Sequence, residues 1–230
     1  MRVGALLLCA GRGERLGGGA EKALVPLAGR PLFAWSLETL LASPALHGVV
    51  VVGPVARLRD AAAGTGIDVA RVVAWTEGGR ERQHSVAAGL LALPADYELV
   101  AIHDSARALV TPDVVRRVVA DALIHGAAIA SVPLEDTLKR GALQVIEQTV
   151  PRAGLYRAQT PQAFRRDWLV AAHQEARGVA TDDAALLEAQ GRRVRLSEGD
   201  PANFKITTAR DLALAEAWLA ARAGTATGPR

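Results

Sequence analysis

An apolar strand that runs straight into a glycine-rich, cation-bearing loop constrains this chain most. Val3, Gly4, Ala5, Leu6, Leu7, Leu8 and Cys9 read as the strand; Ala10, Gly11, Arg12, Gly13, Glu14, Arg15, Leu16 and Gly17 form the loop, and Lys22 follows. Glycines let the backbone approach a ligand closely and take φ > 0 without steric cost. Backbone N–H groups around Ala10, Gly11 and Gly13 can then converge on anionic oxygens, and Arg15 and Lys22 add full positive charge. The arrangement suits a polyphosphate, at the carboxyl end of a strand where open α/β sheets bind their ligands. Two better-known phosphate loops are excluded. The dinucleotide fingerprint G-x-G-x-x-G needs Gly where the chain has Leu16, and the next strand ends in Gly53-Pro54 with no carboxylate. No Gly-Lys-Ser/Thr of a P-loop occurs.

Composition narrows the class further. The chain has 230 residues, enough for one large α/β domain that buries roughly 70–75% of its unfolded surface without a disulfide or metal staple. One cysteine excludes an internal disulfide and a multi-cysteine zinc site. A net charge of +3 and 4% aromatic residues argue against a nucleic-acid partner. The apolar start is too short for a signal peptide and is followed by charges rather than a cleavage site. The longest uncharged stretch, 39–56, contains Pro44 and Pro54, so no membrane span is expected. The expectation is a cytoplasmic enzyme.

Short aliphatic runs at 3–9, 48–53, 71–75, 99–103 and 127–133 read as buried parallel strands. Helical patterns fall between them: one opening at Pro31 with Leu32, Leu37, Leu40 and Leu41 on one face, one over 84–93, and one over 112–125 capped by Thr111. The alternation predicts a doubly wound, mostly parallel α/β sheet. Residues 134–152 break it, with a turn centred on Gly141, and predict a β-hairpin arm that leaves the sheet. Helices are expected at 165–177 and, after a Thr181 cap, at 182–190. A strand is expected at 193–196 and a helix at about 208–222. Residues 1–222 thus form a single domain and 223–230 a frayed tail.

The fourth strand ends in His103-Asp104-Ser105-Ala106-Arg107. A carboxylate at that end reaches the same crevice as the first loop, and Mg²⁺ on a nucleotide needs only one or two protein carboxylates. Asp104 is therefore the candidate metal ligand; a structural pairing with Arg107 is the other reading. His103 reads as an ordered structural histidine. Gly78-Gly79 permits close approach to a base, with Ser85 as a hydrogen-bonding partner.

The first loop, Gly78-Gly79 with Arg82 and Ser85, His103-Asp104-x-Ala106-Arg107, Asp136-Thr137-Leu138-Lys139, Thr160-Pro161-Gln162, Thr181-Asp182-Asp183 and Asn203-Phe204-Lys205-Ile206-Thr207 stand in the order and spacing of one family. From Val3 to about Leu219 the chain resembles the 2-C-methyl-D-erythritol 4-phosphate cytidylyltransferases. The resemblance implies a nucleotide-diphospho-sugar transferase-like, Rossmann-type fold. It implies transfer of CMP from CTP to a polyol phosphate with Mg²⁺, and a homodimer joined through the 134–152 arm. By the same resemblance Arg15, Lys22 and Lys205 are catalytic. Cys9, Ala10, Gly11, Gly13, Gly79, Ser85, Asp104 and Ser105 bind the nucleotide. Arg152, Thr181, Lys205, Thr137 and Thr160 bind the acceptor, Arg152 and Thr181 across the dimer. Asp104 holds the metal.

The chain departs from the family pattern at Cys9, Ala23, Arg80 and Ala108, none of which removes a charged group. At Cys9 two readings stand: a small buried hydrophobe, or a thiol bordering the nucleotide beside Arg15, whose charge favours the thiolate. The alternative acceptor is another polyol phosphate, such as ribitol 5-phosphate.

Overall fold

The computed structural model describes residues 1–11 and 21–226; Gly13 and Arg15 lie outside the described residues. Strand β1 (Arg2–Leu8) leads through a 3₁₀ turn (Lys22–Leu24) and a small ribbon, β2 (Pro26–Leu27) and β3 (Arg30–Pro31), to helix α1 (Leu32–Ala42). Then follow β4 (Gly48–Val52), α2 (Val55–Ala63), β5 (Val72–Thr76), α3 (Arg82–Ala92), β6 (Tyr97–Asp104), α4 (Pro112–His125) and β7 (Ala127–Pro133). The hairpin is β8 (Leu138–Ala142) and β9 (Val145–Val150). The chain closes with β10 (Tyr156–Arg165), α5 (Arg166–Glu175), α6 (Asp183–Ala189), β11 (Arg195–Glu198) and α7 (Ala209–Ala226).

Seven strands form one sheet in the order β11-β7-β10-β6-β1-β4-β5, parallel except for β10, which runs antiparallel to both β6 and β7. Successive β1 side chains point to opposite faces. Val3, Ala5 and Leu7 join Phe33, Leu37 and Leu40 of α1 and Val114, Val115 and Val118 of α4 in one core. Leu6 and Leu8 join Val86 and Leu90 of α3, Leu169 of α5 and Leu187 of α6 in the other. Each fully buried aliphatic side chain is worth roughly 1.5–3 kcal/mol, and the strands are apolar on both faces because helices cover both. A third cluster, with Leu27, Leu32, Ile206 and Ala215, seats α7 against the β2–β3 ribbon.

From β1 the chain fills one side of the sheet with β4 and β5, then crosses to β6 on the other side. That reversal opens a crevice beyond the carboxyl ends of β1 and β6. The two strands are in register there, Leu8 opposite Asp104, and Ser105 N–H donates to Leu8 O at 3.0 Å.

Four details differ from the sequence reading. β10 was not expected: it is polar and carries Pro161, which a central strand rarely tolerates. Pro161 falls in a register shift between Ala158 and Gln162, where its missing N–H interrupts no ladder bond. The hairpin turn sits at Leu143 and Gln144, with φ of 49° and 64°, and not at Gly141. Gly141 is instead pressed into the ladder, where a Cβ would meet Val145 O at 2.6 Å. Asp182, not Thr181, caps α6, accepting from Ala185 N–H at 3.0 Å. The last helix continues past 222 to Ala226; residues 227–230 are outside the described residues.

Candidate active site

The crevice holds two lobes that share three side chains. The first, a cleft of about 760 Å³ including its open mouth, is lined at the strand ends by Leu8, Cys9, Ala10, Gly11, Lys22, Ser85, Asp104 and Ser105. The second is lined by Arg107, Gln159, Thr160, Gln162, Thr181 and Asp182. Arg82, Asp104 and Lys205 line both.

These three make the charged bridge between the lobes. Asp104 Oδ1 accepts from Arg82 Nε–H at 3.1 Å, and Oδ2 accepts from Lys205 Nζ at 2.8 Å. Burial alone would raise the Asp104 pKa; Arg82 and Lys205 outweigh it and hold the carboxyl well below the usual carboxylate range. Burial likewise works against the Arg82 charge, and Asp104 and Asp183 more than compensate. Asp104 does not pair with Arg107, the other reading of the sequence. Arg107 spends its fork on carbonyls, Nη1 to Asn203 O at 2.8 Å and Nη2 to Ala158 O at 3.1 Å.

The backbone delivers each group. Asn203 Nδ2 donates to Thr160 O at 2.8 Å, and Ile206 N–H donates to Ala106 O at 2.8 Å. These bonds fasten 203–206 across the ends of β10 and β6 and aim Lys205 at Asp104. Lys22 N–H donates to Gly11 O at 3.0 Å, which pins the return of the first loop to its own start. His103 is fully buried and orders the opposite side. Its Nε2–H donates to Arg107 O at 3.3 Å, so Nδ1 accepts from the Thr160 hydroxyl at 3.0 Å. Thr160 Oγ1 in turn accepts the Asp104 N–H at 3.1 Å. Burial pushes the imidazole pKa down to about 4, so the ring is neutral at pH 7 and structural, as expected. Thr160 lines the second lobe, but its hydroxyl is committed to this relay.

At the far wall of the first lobe, Gly79 N–H donates to Ser85 Oγ at 3.0 Å. A Cβ at Gly78 would stand 2.1 Å from Ala10 Cβ, and one at Gly79 2.3 Å from His84 Cβ. Only glycines let this loop close against the end of β1. The slot so formed is narrow and presents backbone polar groups. Cys9 lines the cleft but is 2% exposed. Burial pushes its thiol up to about 12, against a hydrogen bond with Ser105. Burial thus favours the buried-hydrophobe reading of Cys9; Arg15, on which the thiolate reading rests, lies outside the described residues.

Of the expected site residues, the structure brings together Cys9, Ala10, Gly11, Lys22, Ser85, Asp104, Ser105 and Lys205 in the first lobe, with Gly79 beside Ser85, and Thr160 and Thr181 in the second, so Thr181 shares a lobe with Lys205 of its own chain and is not expected from a partner. It does not bring Arg152 or Thr137 to either lobe of the same chain. Both are exposed on the hairpin, where Arg152 Nη1 donates to Glu135 O. In the sequence Arg82 stands out only as part of the Gly78–Ser85 motif; its position on both lobes makes it a central group. Gln162 was missed similarly, and its Nε2 donates to Asp182 Oδ2 at 2.8 Å.

Among the described residues, no group of three or more His, Cys, Asp or Glu could hold a metal alone. Asp104 is ionised and has a further lone pair on each oxygen, which suits an ion that arrives with most of its ligands on a triphosphate. No helix among the described residues is long and apolar enough to cross a membrane.

The family model described as 2-C-methyl-D-erythritol 4-phosphate cytidylyltransferase matches residues 3–221. Proteins of that name from Geobacillus thermodenitrificans and Prochlorococcus marinus are 41% and 43% identical over 226 residues, covering 96% and 95% of this chain and 99% and 98% of theirs. A crystal structure of the enzyme of that name from Thermus thermophilus superposes with a TM-score of 0.76 at 35% identity, covering 95% of this chain and 98% of the other.

Proposed function

Because the chain belongs to the 2-C-methyl-D-erythritol 4-phosphate cytidylyltransferase family, we infer that it transfers CMP from CTP to 2-C-methyl-D-erythritol 4-phosphate. The products are 4-diphosphocytidyl-2-C-methyl-D-erythritol and diphosphate, in the non-mevalonate route to isoprenoid precursors. The observation that carries this reading is the pair of lobes meeting at Arg82, Asp104 and Lys205. CTP fills the first lobe and the acceptor the second, so the reacting phosphates meet at the bridge.

The acceptor's phosphate oxygen attacks the α-phosphorus, a new P–O bond forms, and the bond to the β-phosphate oxygen breaks. The attacking phosphate oxygen is already anionic at neutral pH, so no general base is needed, which fits a site whose buried histidine, His103, is neutral and structural. The barrier lies in bringing two polyanions together and stabilising charge on the transferring phosphoryl group. Lys22 and Arg15 neutralise the triphosphate, and Lys205 bridges toward the acceptor phosphate. Backbone at Cys9, Ala10, Gly11, Gly13 and Gly79, with Ser85, reads cytosine and cradles the phosphates; Asp104 and Ser105 face the ribose side. Asp104 would hold Mg²⁺, which when bound supplies further positive charge at the phosphates. We place the enzyme in the cytoplasm.

The second lobe is open in one chain, and we propose that a partner's arm completes it in a homodimer. The hairpin exposes Leu143, Val145 and Ile146, the first by 96%, an apolar tip that a monomer rarely carries. Arg152 and Thr137 on that arm then reach the partner's acceptor lobe beside Thr181 and Thr160. Arg152→Ala and Lys205→Ala are each expected to raise KM for the acceptor and leave KM for CTP nearly unchanged. Mixed subunits of the two variants should regain activity, because some heterodimers carry one intact site. Absence of recovery, with subunit exchange confirmed, places both residues in one chain's site.

Diphosphate release with each of four nucleoside triphosphates against a panel of polyol phosphates tests the reaction. CTP with 2-C-methyl-D-erythritol 4-phosphate should exceed every other pair. Preference for ribitol 5-phosphate would overturn the acceptor, an alternative that the full-length family match disfavours.

A further inference from the structure

Arg82 is held from behind by a buried acid that touches neither lobe. Its fork is divided: Nε–H goes to Asp104 at 3.1 Å, while Nη1–H goes to Asp183 Oδ2 at 2.6 Å. Asp183 opens α6 with its side chain 1% exposed. Its other oxygen accepts from His173 Nε2–H of α5 at 2.9 Å, and the ring is 7% exposed. A chain of hydrogen bonds therefore runs His173–Asp183–Arg82–Asp104–Lys205, from the α5–α6 layer to the bridge.

Asp183 is not needed to cap its helix. Asp182 does that with Oδ1 and orients Gln162 with Oδ2. Burying a second carboxylate beside it costs desolvation, and well-packed apolar groups often replace buried ion pairs without loss of stability. What the carboxylate does supply is direction. Arg82 has several rotatable bonds and a charge pulled toward the cleft by Asp104; a second anion behind it fixes which nitrogens face the ligands. Asp183, itself held by His173, leaves Arg82 one geometry.

We propose that Asp183, oriented by His173, is a positioning residue that fixes the Arg82 guanidinium at the rim common to both lobes and acts on turnover only through Arg82. The inference rests on the cytidylyl-transfer reading of the site. The test is a double-mutant cycle on the full chain with Arg82→Ala, Asp183→Asn and the combined variant. It measures kcat and KM for CTP and 2-C-methyl-D-erythritol 4-phosphate, with melting temperature as a check on folding. Asp183→Asn should lower kcat/KM by roughly 10- to 100-fold in the parent, and by less than about twofold in the Arg82→Ala background. Equal losses in both backgrounds would overturn the proposal. Should Asp183→Asn fail to fold, His173 decides. His173→Gln keeps an N–H donor and should retain near-parent turnover, whereas His173→Phe should lose several-fold; identical behaviour of the two overturns the proposal. The same cycle is read in CTP dissociation constants. A parent chain that binds CTP but transfers nothing to this acceptor removes the functional reading, and the binding cycle still decides the role of Asp183.

Discussion

Lys22→Ala is expected to lower kcat by roughly 10²–10³-fold with a smaller change in KM for CTP. Lys22 lines the first lobe, and its backbone N–H closes the first loop onto Gly11. Substitution keeps that backbone bond and the burial of Ala23 next to it, so the loop's anchor survives while its charge is lost. A cation that only attracted CTP would act equally on the ground state and the transition state and would appear mainly in KM. A cation placed where negative charge grows acts mainly on kcat. Arg15→Ala should behave alike, since the family resemblance gives Arg15 the same role toward the triphosphate. Near-normal turnover in both variants would remove the loop from the chemistry. A loss confined to KM would leave it a binding loop only.

Much of this site was legible because its chemistry sits at strand ends. An apolar run followed by glycines, or by a carboxylate, marks the carboxyl edge of a parallel sheet, so the first loop and Asp104 read as reaching one crevice; that their strands are neighbours, with Leu8 opposite Asp104, is set by a sheet order no local pattern reports. β10 was hidden because it serves the site. Gln159, Thr160 and Gln162 are buried and polar; Gln159 bonds Asp200, Thr160 bonds His103, and Gln162 donates through Nε2 to Asp182. A strand whose side chains are spent on such bonds shows no apolar pattern, and local rules fail most often at functional sites. The link from Arg82 to Asp183 was hidden for another reason: it spans 101 residues, and no periodicity reports which of two adjacent acids turns inward. A glycine between two extended runs reads as the turn of a hairpin. The chain places Leu143 and Gln144 in the left-handed region there instead, with Gly141 required by its contact with Val145.

Asp104→Asn should cost both stability and function, and the two losses should separate with pH. In the folded chain the carboxylate is 12% exposed and faces Arg82 and Lys205, whose side chains are 28% and 43% exposed. Removing one partner of a buried pair costs about 3–5 kcal/mol. Lys205 can turn to solvent and Arg82 keeps Asp183, so about 2–3 kcal/mol is expected here, or roughly 5–10 °C in melting temperature for a chain of this size. Because the folded Asp104 pKa lies below its unfolded value, the parent enjoys this stabilisation fully above about pH 4 and loses it as the pH falls further. The stability difference between parent and variant should therefore be flat from neutral pH down to about 4 and narrow below it. His103 titrates in a different window. Its pKa in the parent is about 4 folded against roughly 6.5 unfolded, so the parent loses stability as the pH falls between those values; the Asp104 charge holds that folded value up, so the variant loses at least as much. At neutral pH, turnover by the variant should need more Mg²⁺ and stay well below the parent at saturation. A pH-independent difference in stability would show that the Asp104 charge is not what the bridge requires. A Mg²⁺ titration matching the parent would take the metal away from Asp104 and leave it the task of bridging Arg82 and Lys205 at the seam between the lobes.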